Sequence, residues 1–179
     1  YNFAFADLDN DGDLDVTLHL FQDNSSHESL ELFYYENKGK GVFEFVDGLG
    51  SPLVGIDMGN VASVSFADID GDGDIDAISS GNTVDEICSD GCYTIGDTYL
   101  SVFKNENNVF VDKTGTIEDK ISTITIPPLT GADFRVLDVN ADGKLDLVVL
   151  NYSPDGFGSS SIQYFEDVAG EYIEQTGAD

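Results

Sequence analysis

Three short acidic segments carry the residues with an evident capacity for chemistry: FADLDNDGDLDV at 5–16, FADIDGDGDIDA at 66–77 and VLDVNADGKLDLVV at 136–149. In the first, Asp7, Asp9, Asp11 and Asp15 occupy positions 1, 3, 5 and 9 of a loop. Gly12 at position 6 permits a sharp turn, and Asp13 at position 7 can lend its backbone carbonyl. Carboxylates spaced in this way converge on one centre if the chain coils tightly, and they repel strongly unless a cation lies among them. All the donors are hard oxygens, with no His or Cys in the set, which selects calcium over zinc or copper. A cage of several carboxylates also suits calcium's larger, looser shell better than magnesium's.

The second loop repeats the set with Asp68, Asp70, Asp72 and Asp76 and the carbonyl of Asp74. The third uses Asp138, Asn140, Asp142 and Asp146 with the carbonyl of Lys144. Asn140 replaces a carboxylate by a neutral oxygen and Lys144 adds a positive charge, so the third site is expected to bind most weakly. The alternative, three acidic turns without metal, leaves the matched clustering of carboxylates unexplained. A helical EF-hand needs Glu at position 12. That position holds Leu18, Ser79 and Val149 here, and the flanks read as strands. Dockerin-like and thrombospondin-like loops fail on the same residue.

The elements that must hold these loops repeat with them. Each loop lies between an entering and a leaving strand-like run, such as NFAFADL and LDVTLHL. An aromatic run ending in Asn or Asp follows: YYEN at 34–37, VFKN at 102–105 and YFED at 164–167. A further aromatic comes next, at Phe43, Phe110 and Tyr172. β-branched and aromatic residues bounded by turn residues predict strands, and no long stretch has a 3.6-residue period. The expectation is therefore an all-β chain of three four-stranded antiparallel blades of a β-propeller, at 1–60, 61–130 and 131–179. In such a blade the acidic loops share one rim, and the segments 21–29, 80–98 and 151–160 lie on the other as long, irregular recognition loops.

The loop D-x-D/N-x-D-G-x-x-D between strands, preceded by Phe-Ala or a similar apolar pair, resembles the FG-GAP family. This family comprises the propeller repeats of integrin α-subunits and the related bacterial VCBS-type repeats. The run Asn37, Gly39, Gly41 and Phe43 is also similar to the bacterial pattern, which Asn105 with Phe110 and Asp167 with Tyr172 keep in part. The resemblance implies calcium at three sites in a structural role, on a platform for adhesion to a protein or glycan ligand. Propellers of the family usually close with about seven blades. Further blades from a longer chain, or copies of this one, are therefore expected to cover the open ends, in the second case building a filament. A non-catalytic spacer beside an enzyme domain is a third reading.

Composition narrows the partners. The chain has 179 residues, with 35 acidic residues against 7 Lys plus Arg. Such a balance disfavours nucleic acid, whose phosphates need cations. No apolar run approaches the roughly 20 residues of a membrane span, and Tyr1 opens directly into strand-like sequence, as a mature or trimmed chain would. Cys88 and Cys92 flank an Asp-Gly turn. In an oxidising compartment they are expected to form a disulfide; free thiols or half of a metal site are the alternatives. Together with calcium this places the chain outside the cell, secreted or at the surface. Asn24 and Asn151 begin N-glycosylation triplets. No catalytic motif stands out. His19 reads as a packed or surface strand residue and His27 as a loop residue, and the chain is expected not to be an enzyme.

Overall fold

The computed structural model describes residues 2–24, 27–54, 56, 61–87, 93–116, 121, 124, 133–151 and 161–175. Twelve strands form three four-stranded antiparallel meanders. The first sheet holds β1 (Asn2–Ala6), β2 (Asp15–Asn24), β3 (His27–Asn37) and β4 (Phe43–Val46). The second holds β5 (Val61–Ala67), β6 (Asp76–Ile87), β7 (Tyr93–Asn105) and β8 (Phe110–Asp112). The third holds β9 (Asp133–Leu137), β10 (Asp146–Asn151), β11 (Ser161–Val168) and β12 (Glu171–Glu174). A 3-10 turn at Gly48–Gly50 is the one helical element among the described residues. The sheets are propeller-like blades, and as described they form no closed ring.

Each acidic segment joins the first two strands of its sheet, because β-prone residues flank it on both sides and pair directly: Ala6 with Asp15, Ala67 with Asp76, Leu137 with Asp146. Side chains then alternate between faces. On the face between the first and second sheets, Ala6, Leu8 and Tyr34 pack with Val64, Ala77, Phe103 and Phe110. Between the second and third, Ala67, Ile78, Leu100 and Val102 meet Phe134, Val136, Leu147, Val149 and Phe165. Two polar contacts reinforce this junction: Ser63 Oγ donates to Asp133 (2.8 Å), and the Val136 amide donates to Ser65 Oγ (3.3 Å). The core is thus a pair of inter-sheet seams, and the second sheet is buried on both faces.

The outer faces differ. Phe3 and Phe5 are 56% and 53% exposed, whereas Val64 and Phe134, which match Phe3 in the repeat, are 1% and 2% exposed. Leu137 on the far side of the third sheet is likewise open, while its counterparts Ala6 and Ala67 are buried.

Two of the expected recognition loops are strand instead. Within 21–29, β2 continues to Asn24 and β3 starts at His27, with Phe21 paired to Leu30 and Asn24 to His27. His27 is therefore a strand residue. Within 80–98, β6 continues to Ile87 and β7 starts at Tyr93. The segment's polar, glycine-containing sequence reads as loop, yet its backbone pairs as an antiparallel ribbon. Its register slips between Asn82 and Val84 and again before Glu86. Of 151–160, only Asn151, the last residue of β10, is described; the rest lies outside the described residues.

His19 is only 2% exposed, and its Nδ1 finds no hydrogen-bond partner among the described residues. Burial, assisted by the Arg135 guanidinium and opposed by Asp133, lowers its pKa from 6.5 to about 4. Between those values the unfolded chain holds the extra proton, so stability falls as pH drops from about 6.5 towards 4. In urea unfolding, the wild type should lose about 2 kcal/mol more than His19→Leu between pH 7.5 and pH 5. Equal losses would contradict a neutral buried ring.

Candidate metal centres

Each acidic segment folds as a tight loop whose own carboxylates satisfy its amides. Asp7 accepts the amides of Asp11 (3.1 Å) and Gly12 (3.0 Å), and Asp138 accepts those of Asp142 (3.1 Å) and Gly143 (2.9 Å). Asp68 accepts Gly71 (2.8 Å) and Gly73 (3.1 Å). The carboxylates of Asp11, Asp72 and Asp142 take the amide two residues on, each at 2.9 Å. Two backbone positions must be left-handed for this coil. The fourth is Asn10, Gly71 or Ala141 (φ 60°, 77° and 62°), and the sixth is Gly12, Gly73 or Gly143 (φ 93°, 99° and 85°).

The ninth residue of each loop is the anchor. Asp15, Asp76 and Asp146 are 1%, 1% and 0% exposed. Each receives an amide from inside its loop: Leu8 at 3.1 Å, Ile69 at 3.0 Å and Val139 at 3.0 Å. Each also receives an amide from the third strand of its sheet: Asn37 at 2.9 Å, Asn105 at 2.9 Å and Asp167 at 3.1 Å. Asn37 and Asn105 add an amide bond back to the carbonyls of Leu14 (3.0 Å) and Ile75 (3.3 Å). Tyr34 and Tyr164 donate their hydroxyls to Asp15 and Asp146, each at 3.0 Å. Burial and the Asp15 bond push the Tyr34 hydroxyl well above its ordinary range, so it is held protonated as a donor.

Among the described residues these contacts bring three of the four expected side chains together in each of the first two loops; Asp11, Asp72 and the third loop's residues are in no such group. Asp7, Asp9 and Asp15 each offer a carboxylate oxygen within 4.8 Å of the others, and Asp68, Asp70 and Asp76 do the same. In the third loop Asn140 stands where Asp9 and Asp70 stand. Its side chain is turned both inward, accepting the Asp142 amide (3.0 Å), and outward, donating to Glu166 (3.0 Å). Burial, then the nearby Asp15, Asp11 and Glu36 charges, raise the Asp9 pKa; burial raises that of Asp76. Anionic oxygens crowded at this level are a donor set that a hard divalent cation would relieve, and oxygen donors of this type suit calcium. Asp70 goes the other way, because Lys104 ion-pairs with it at 2.8 Å.

The remaining expected residues have other surroundings. Asp74 accepts the Asn10 side-chain amide (2.9 Å), linking the first two loops across the seam. Lys144 Nζ donates to the Asp167 carbonyl (3.1 Å) and lies 4.0 Å from Asp142. Asp11, Asp13, Asp72 and Asp142 are on the exposed rim. Cys88 and Cys92 lie outside the described residues, and Asn24 and Asn151 end β2 and β10. The link from the ninth residue to the third strand was missed in the sequence, although its signal is there: the Asn or Asp that closes each aromatic run.

Tyr34→Phe removes one of three donors to a buried carboxylate. It should lower unfolding free energy by about 1–2 kcal/mol in urea titrations. Tyr164→Phe should cost less, since Tyr164 is only half-buried. Equal stability of Tyr34→Phe and wild type would show that the hydroxyl bond contributes nothing net.

Comparison with known families agrees with this geometry. The family model for the FG-GAP-like repeat matches residues 7–79, from the first residue of the first loop into the strand leaving the second. No curated protein matches the chain significantly. Residues 7–79, which span the first two loops, thus carry an FG-GAP-like repeat, and the three loop-bearing sheets have a β-propeller-like, all-β architecture.

Proposed function

We propose that the chain is a calcium-stabilised segment of an extracellular β-propeller, made of blades at 1–60, 61–130 and 131–179, that serves as a module for adhesion or ligand binding. The observation that carries this is the anchor: in every sheet one buried aspartate ties an acidic loop to the third strand. Asp7, Asp9, Asp11 and Asp15 would hold a cation in the first loop, Asp68, Asp70, Asp72 and Asp76 in the second, and Asp138, Asn140, Asp142 and Asp146 in the third. The carbonyls of Asp13, Asp74 and Lys144 would complete the sets. A bound cation supplies charge neutralisation, and folding then becomes linked to its concentration. FG-GAP repeats are typically non-catalytic and commonly extracellular, which supports a binding rather than a chemical role. A protein or glycan is the partner class for such a platform.

Thermal unfolding with and without excess EGTA, at matched ionic strength, tests this. The midpoint should fall by about 10 °C or more on chelation and be restored by calcium but not by equal magnesium. An unchanged midpoint would overturn the metal reading.

A second reading, a self-assembling structural subunit, is favoured by the outer faces. Phe3 and Phe5 stand open where the matching residues of the other sheets are covered by a preceding sheet, and the far face of the third sheet is open too. Two different open faces on one molecule make a head-to-tail contact that extends rather than closes. Sedimentation velocity should then show a concentration-dependent ladder that Phe5→Glu reduces to the monomer. A single monomeric species at all concentrations would exclude this reading.

A further inference from the structure

The residue just before the Asn or Asp that binds each anchor is Glu36 in β3, Lys104 in β7 and Glu166 in β11. All three occupy one position of the repeat, and Lys104 and Glu166 contact the third residue of their loop. Glu36 ion-pairs with Lys38, Glu166 accepts a hydrogen bond from Asn140, and Lys104 ion-pairs with Asp70. Among the described residues, only the second sheet places a third-strand cation in direct contact with the third residue of its loop; Lys144 lies 4.0 Å from Asp142 within the third loop, and Lys38 pairs with Glu36 beside the first. The Lys104 side chain is mostly buried, at 15% exposure, and Asp70 is 31% exposed, so water screens this pair less than an open surface pair.

We infer that Lys104 is a tethered counter-ion of the second loop, neutralising Asp70 when no metal is bound and competing with calcium for it, so that the second loop binds calcium more weakly than its carboxylate count predicts. The inference rests on the calcium reading of the loops. Its physical basis is simple. An ammonium within hydrogen-bond distance of Asp70 occupies one of its oxygens and repels an approaching divalent ion. At the first loop the corresponding residue is the acid Glu36, which pairs with Lys38 and leaves Asp9 without a contacting ammonium from that position. The third loop shows the complementary exchange: the carboxylate missing at Asn140 is matched by one supplied at Glu166. Loop and third strand thus set the charge of each site together, and loop sequence alone misorders the sites.

Calorimetric calcium titration of the full chain tests the assignment with Lys104→Glu, which installs the residue type of the other two sheets, and Lys104→Met, which keeps the apolar stem. One class of sites should tighten about tenfold in Lys104→Glu and less in Lys104→Met. The tightened class should vanish when Asp68→Ala is added. Lys113→Glu, the same charge change at a residue paired with Glu106, should leave it unmoved. A second readout carries the sign: Lys104→Met should lower the unfolding midpoint in EGTA and fail to lower it in saturating calcium. A purely structural lysine would lower both alike. Calcium binding with no class shifted in either Lys104 variant, or equal midpoint losses with and without calcium, overturns the inference while leaving the metal reading intact. Absence of calcium binding in wild type overturns both, and if Lys104→Glu does not fold, Lys104→Met carries the same comparison.

Discussion

Everything else in the fold hangs on one arrangement repeated in each sheet: a buried carboxylate that accepts hydrogen bonds from two directions. Asp15, Asp76 and Asp146 leave the loop and enter the second strand at the same residue, so they belong to both. An unpaired buried carboxylate is costly, and each of these is paired by amides that the antiparallel meander alone brings near. The loop's ninth residue therefore has its full set of hydrogen bonds only with the third strand in place. The third strand is in turn held at the rim by the loop. Local turn chemistry and sheet formation are mutually conditional, which is the consistency expected of a foldable repeat.

Much of this was legible in the residues. The spacing of Asp7, Asp9, Asp11, Gly12 and Asp15 gave the tight coil, and the repeat of flanking aromatic runs gave four strands per unit. The glycine at position 6 marked a sharp turn, which the backbone makes through a left-handed residue. Position 4 did not announce itself as a second one, because Asn, Gly and Ala share no side-chain chemistry; only the backbone shows that all three are left-handed. The segments 21–29 and 80–98 were misread for a related reason. Period and polarity report which faces are apolar, whereas backbone pairing can continue through polar sequence, as it does here. The charge context of Asp70 was illegible because Lys104 is distant in sequence and becomes a neighbour only through strand pairing.

The seams show how one repeat sequence is tuned to its place. At the position of Thr17, Ile78 and Val148, the first two are fully buried and the third is half-buried. The second sheet, covered on both sides, places small residues in both seams, Ala77 towards the first sheet and Ala67 towards the third. Ser63 and Ser65 make polar contacts across to the third sheet, giving the junction a register that apolar packing alone lacks.

The anchor also has a mechanical meaning. A meander pulled from one end peels strand by strand, each pair of hydrogen bonds bearing the load in turn. A side chain that grips the loop, the second strand and the third strand at one point lets tension bypass that sequence of single failures. The Asn10–Asp74 bond carries part of the same tension from the first sheet into the second. A chain built in this way resists shear along its rim of loops more than separation of its opposite edge, where the long ribbons project. Under traction it would open from the ribbon side first.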